Sequence, residues 1–119
     1  MTDALRLIAG RVTDASALDL AHEPVPAEQV VAGAPATGHE VLDESAGRTI
    51  GVWEMTAGAM RDVEADEVFI VLTGDATVDF VDPPGPSVEL RPGSIARLAS
   101  GMHTVWTVRE PLRKLYVAP

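Results

Sequence analysis

The chain has 119 residues, nine Lys and Arg against eighteen Asp and Glu, a formal net charge of −9, and no cysteine. That length suits one domain with a real core and is too short for two. The acidic balance argues against nucleic acid and against anionic membrane as partners, and without cysteine there is no disulfide, thiolate metal site or thiol nucleophile.

The opening stretch "MTDALRLIAGRVTDASALDL" lacks a basic segment followed by a long apolar one, so no secretory leader is expected. No run reaches the ~18 apolar residues of a membrane span, and a cytoplasmic location is the expectation. Residues 1–47 are rich in Ala, Pro and short polar residues, with brief apolar pieces such as "LRLIA" and "QVVAG". They are expected to form an N-terminal arm packing on the main body or on a partner subunit. Inside the arm, Pro26 to Gly33 ("PAEQVVAG") has proline early and glycine at its end, which suits a single helical turn on the outside.

From residue 48 to 119 the texture changes. "RTIGVWEM", "EVFIVLT", "ATVDFV", "SVEL", "SIARLA", "HTVWTV" and "LRKLYVA" read as short strands. "TGD", "DPPGP" and "RPG" separate them as turns, the first two as plain hairpin chemistry. No stretch shows sustained helical spacing, so an all-β sandwich or barrel is expected. Val68–Leu72 is apolar at every position, whereas a strand with one wet face would alternate. A second layer, either the arm or another subunit, must cover its outer side, and a homodimer is expected. By alternation Glu67, Phe69, Val71 and Thr73 share one face, and Val68, Ile70 and Leu72 the other.

"EVFIVLTG", from Glu67 to Gly74, resembles the second half of the first cupin motif: a glutamate, six residues, then glycine. "RPGSIARLASGMHTVWTV" is similar to the second motif, with Ala99 where proline is usual. More closely, the chain resembles the small single-domain cupins related to ureidoglycine aminohydrolase and the ethanolamine-utilisation cupins. "GVWE" at Gly51–Glu54, "ADEVFIVLTG", the late Trp106 and "RKLYV" at Arg113–Val117 carry that likeness, and Ala57 replaces a usual proline. It implies an all-β cupin double-stranded β-helix, a jelly-roll-like barrel, over residues 48–119.

Two departures bear on chemistry. Metal-binding cupins place His-x-His a few residues before the motif glutamate; here those positions hold Arg61 and Val63, or Met60 and Asp62. The later ligand histidine falls at Thr104, with His103 one residue early and so on the opposite face of its strand. No metal and no cofactor are expected. His22 and His39, both in the arm, read as surface residues.

The resemblance implies that Glu67 points into the barrel. A lone buried carboxylate is costly, so it needs a cation. Lys114 is the best candidate because it shares a face with Leu112 and Tyr116; Arg61 and Arg97 are the alternatives. The pair is expected at about 3–4 Å, either as a structural replacement for the missing metal or as an acid/base floor to a pocket. Trp53 and Trp106 are core filling or, with Phe69 and Tyr116, the apolar wall of a site. Glu54 faces away from Trp53, toward solvent or an interface. His103 is a turn histidine or an acid/base group at the barrel mouth.

Glu67 and Lys114 are thus the candidate catalytic residues, and Trp53, Arg61, Phe69, His103, Trp106 and Tyr116 the candidate ligand contacts. The leading functional expectation is a metal-independent cupin binding an unknown small molecule. The alternatives are an aminohydrolase-like enzyme on a small nitrogen-containing or carboxylic metabolite, and a structural dimer module with a filled barrel.

Overall fold

The computed structural model describes residues 7–119; the first six residues, on which the no-leader expectation partly rests, lie outside them. Nine strands pair antiparallel in one continuous curled sheet. They are β1 (Glu23–Pro24), β2 (Val30–Ala32), β3 (Ala36–Ser45), β4 (Arg48–Met55), β5 (Gly58–Val63), β6 (Glu67–Asp82), β7 (Gly85–Leu90), β8 (Ile95–Leu98) and β9 (His103–Ala118). Among the described residues there is no helix, and so none long and apolar enough to cross a membrane. The all-β expectation holds.

Two strands of 16 residues, β6 and β9, give the sheet its shape. The C-terminal half of β9 pairs with β4 and with the first half of β6, which also carries β8. The N-terminal half of β9 pairs with β5 and with the second half of β6, which also carries β7. One sheet therefore folds into two facing walls: β1–β3–β4–β9–β6–β8, and β2–β5–β9–β6–β7.

The fold line corrects the sequence reading of "TGD" as a hairpin and of "HTVWTV" and "LRKLYVA" as separate strands. β6 runs straight through Gly74, whose φ of +105° only glycine adopts freely. A Cβ there would lie 2.3 Å from the Pro111 carbonyl oxygen and 2.6 Å from the Leu112 Cα. Pro111, with no N–H to donate, sits where the β6–β9 ladder is interrupted. From Val71 to Ala76 β6 advances five residues while β9 falls back six, from Lys114 to Val108. That slip is a β-bulge, and it lets both strands turn the corner. It also rotates Thr73 out to solvent, away from the buried Phe69 and Val71 with which alternation had grouped it. "DPPGP", by contrast, does connect a hairpin, β6 to β7.

Pro26 begins one turn, closed by Gln29 N–H to the Pro26 carbonyl at 2.8 Å and Val30 N–H to the Ala27 carbonyl at 3.3 Å. The chain then extends as β2 against β5 rather than continuing helically, because the β5 edge offers ladder partners that a lone turn lacks. Sheet structure likewise reaches into the segment assigned to the arm: β3 pairs along most of β4. The described residues ahead of β1, 7–22, form a strap on the outer face of the first wall. Leu7 N–H donates to Asp43 at 2.9 Å, and Arg113 donates to the carbonyls of Ala15 and Ser16 at 3.0 and 3.2 Å.

Between the walls lies one apolar cluster that includes Met55, Phe69, Val71, Val78, Trp106 and Leu112, each at most 2% exposed. Side chains of this size each contribute roughly 1.5–3 kcal/mol when buried. Trp53 and Tyr116, half-buried, pack against this cluster.

Candidate functional site

"GVWE" and "RKLYV" are 59 residues apart at their charged ends and adjacent in the sheet: Gly51 faces Tyr116, Trp53 faces Lys114, and Glu54 faces Arg113. Alternation sends the first two pairs inward and the third outward. Gly51 is required by its partner, since a Cβ would sit 2.3 Å from the Tyr116 hydroxyl oxygen. The phenol lies across the glycine and lines a partly open cavity between the walls.

That cavity has a volume of about 220 Å³. The first wall supplies Trp53, Glu67, Lys114 and Tyr116, with His39 of β3 at the mouth; the second supplies Asp62 of β5, Glu64 just beyond it, and Trp106. Lys114 Nζ donates to Glu67 Oε2 at 2.6 Å, closer than the sequence separation of 3–4 Å anticipated, as befits a charge-assisted bond. The ammonium also lies 4.8, 4.6 and 4.9 Å from the ring centroids of Trp53, Phe69 and Trp106. Three π faces and a carboxylate together substitute for the water that Lys114, 5% exposed, has lost. The alternative partners are elsewhere: Arg97 is exposed, and Arg61 donates to the Glu28 carbonyl outside the barrel.

Glu64 was not anticipated. It is 7% exposed, and its Oε2 accepts from Thr104 Oγ1 at 2.5 Å and from Trp106 Nε1 at 2.9 Å. The signal was present in the buried indole, whose N–H requires an acceptor. Its backbone is pinned to the β8–β9 turn by bonds to Met102 and Gly101. Asp62 was weighed only as a missing histidine, yet it faces the cavity. Burial first, then the charges of Glu64 and Glu67, push its carboxyl above the ordinary aspartate range, against the opposing pull of the Val63 N–H and Lys114. The Tyr116 hydroxyl is likewise pushed up, by burial and then by Glu67 and Glu44.

Six of the eight candidates therefore meet: Glu67, Lys114, Trp53, Trp106 and Tyr116 line the cavity, and Phe69 backs it, 5.8 Å from Trp106. Arg61 and His103 do not. They are strand neighbours of Asp62 and Thr104, and alternation turns their side chains to a second groove of about 320 Å³, which Asp62 and Thr104 also border. His39, read as a surface residue, is exposed, and its pairing with Trp53 also brings it to the edge of the cavity.

The donor set does not fit a divalent metal. An ion at Glu67 would lie against the Lys114 ammonium, and Thr104 is already bonded to Glu64. Among the described residues no three His, Cys, Asp or Glu side chains converge as ligands.

The model of the EutQ-like cupin domain matches residues 42–116, from β3 to the Tyr116 of the cavity. The chain belongs to that family. None of the curated proteins compared matches the EutQ-like domain. Among solved structures it is similar to EutQ of Clostridium difficile, at 19% identity over 71% of this chain and 68% of that one, with a TM-score of 0.61. It is similar also to a candidate ethanolamine utilization protein Q from Salmonella typhimurium, at 18% identity over 98% and 91% of the two chains, with a TM-score of 0.66. A cupin superfamily protein from Desulfitobacterium hafniense is 12% identical over 98% and 97%, with a TM-score of 0.65. At these identities the likeness shows the fold: the EutQ-like domain is a cupin barrel, as its motifs implied.

Behind the cavity wall the EutQ-like domain holds a second ion pair. Arg113, 7% exposed, bonds both oxygens of Glu54 at 3.2 and 3.3 Å, and His22 of the arm meets Glu54 at 2.7 Å. Burial pushes the Glu54 carboxyl up, but the bonds from Arg113 and His22 outweigh it and hold the group below the ordinary range. Glu54 thus faces the strap rather than open solvent.

Proposed function

We propose that this EutQ-like cupin domain binds a small molecule between its barrel walls without a metal ion. The observation that carries the reading is the cavity of about 220 Å³ with Glu67 and Lys114 at its floor and two indoles in its walls, since small-molecule sites combine apolar walls with a few convergent polar groups. A filled barrel would leave no such space. A thermal-shift screen of the protein against amines, ureides and small acids tests it. A ligand at about one hundred times its Kd raises stability by about 2.7 kcal/mol; a shift that disappears in Trp53→Ala is the expected result, and the absence of any shift across all three classes overturns the reading.

A second reading is catalysis on a small nitrogen-containing or carboxylic compound, in keeping with the resemblance of Gly51–Glu54 and Arg113–Val117 to the ureidoglycine aminohydrolase cupins. It is favoured by a carboxylate and an ammonium in contact beside the Asp62 carboxyl, whose hold on a proton is raised above the ordinary aspartate range, a combination suited to acid/base work. Under it, Glu67→Gln retains binding and loses turnover. The domain is further proposed to act as a cytoplasmic homodimer, paired through the outer face of the first wall.

A further inference from the structure

The charges facing the cavity do not balance. Asp62, Glu64 and Glu67 stand against the single ammonium of Lys114, with His39 at the edge and Tyr116 in the lining. Lys114 bonds Glu67 at 2.6 Å and acts on Asp62 only through space, while Glu64 accepts from two neutral donors, Thr104 and Trp106, so neither Asp62 nor Glu64 has a cation bonded to it. The walls point the same way. Trp53 and Trp106 are tilted at 58° with centroids 5.5 Å apart, and their faces already surround one ammonium at 4.8 and 4.9 Å. A ring quadrupole attracts cations and gives nothing to an anion.

We infer that the cavity takes a small organic monocation, a protonated amine or alkylammonium, placed between the indole faces and the Asp62 and Glu64 carboxyls. This rests on the small-molecule reading and narrows it. The volume suits a small ligand, since about 220 Å³ is the share of roughly seven water molecules. Ligands from methylammonium to trimethylammonium fit that space. Binding is also tied to protons. Burial first, and then the Glu64 and Glu67 charges, raise Asp62; a bound cation offsets the charge part directly and stabilises the ionised carboxyl, so affinity rises with pH as Asp62 loses its proton. Glu64, Glu67, Lys114, His39 and Tyr116 are the titratable groups that face Asp62 across the cavity, and Lys114 is the one opposing its shift.

The test is titration calorimetry on the whole chain at constant ionic strength, from acid to mildly alkaline pH, with methylammonium, trimethylammonium, tert-butanol and acetate as probes. Saturable binding of trimethylammonium is expected, about tenfold or more tighter than the uncharged tert-butanol. It should release protons and strengthen with pH; Asp62→Asn should weaken it about tenfold and flatten that pH dependence. Equal binding of tert-butanol, or tighter binding of acetate, overturns the cation assignment and leaves a small-molecule site standing. Binding that survives both Asp62→Asn and Trp53→Ala is surface attraction to an acidic protein and also overturns it. If none of the four probes binds and the wider screen is silent too, both readings fall.

Discussion

Without its ammonium, Lys114 would leave the Glu67 carboxylate, 16% exposed, facing the cavity without a counter-charge. Breaking a largely buried pair from one side costs more than removing both charges. Lys114→Met is therefore expected to destabilise the protein by about 3 kcal/mol, and Lys114→Met with Glu67→Gln to recover at least half of that, read from urea unfolding. A double variant no more stable than the single one would show that the pair's electrostatics are not what holds Lys114 in place. Asp62 behaves oppositely to a salt-bridged acid. The folded protein binds its proton more tightly than the unfolded chain, whose value lies near 3.8, so the group's contribution is greatest at low pH and is lost as pH rises through the raised value. Asp62→Asn is expected to remove that fall, so its advantage over wild type in thermal midpoint grows from acid to neutral pH. Both effects turn on one residue's surroundings, and only Glu67's need for a partner was legible beforehand.

At the scale of elements, the corner in β6 and β9 decides which residues share the cavity. Gly74 meets two demands together, a backbone conformation that side chains resist and a contact with Pro111 and Leu112 that leaves no space for one. Gly74→Ala is expected to destabilise by about 2–4 kcal/mol, within the range of severe backbone and overpacking changes. The measurement is the denaturation midpoint, with Gly85→Ala as control because a Cβ there meets only Phe80 at 3.9 Å. Equal losses at the two positions would mean that the corner is not the sensitive point. Alternation correctly paired Phe69 with Val71 and set Lys114 with Leu112 and Tyr116, because a period of two is a local property. It failed at Thr73, where the bulge resets the face.

At the scale of the molecule, the outer face of the first wall remains incompletely covered. Cross-strand register lines up Ile95, Ile70 and Leu115 in one row, and Val68, Val117 and Ile50 in the next. Ile95 is 69% and Val117 37% exposed, while the strap crosses the opposite part of the wall at Arg113 and Glu54. The proposed homodimer buries these rows. Sedimentation equilibrium is expected to give twice the chain mass, and Ile95→Asp with Val117→Asp to give a monomer that retains its cavity. A wild-type monomer at micromolar concentration would reject the dimer. The apolar run Val68–Leu72 announced the need for cover, but not which part the strap already provides.

The sequence by itself determined the β character of the chain, the cupin motifs, the replacement of the metal-ligand histidines and the need of Glu67 for a cation, with Lys114 the first of three candidates. Each of these follows from residue type and short-range alternation. Tertiary structure alone decided that Asp62, Glu64 and His39 join Glu67 and Lys114, that Arg61 and His103 face another groove, and that Glu54 and Arg113 anchor the strap. These depend on register between strands far apart in the chain and on a one-residue slip at the corner. No local periodicity records such a slip, because its cause is the close passage of Gly74 over Pro111.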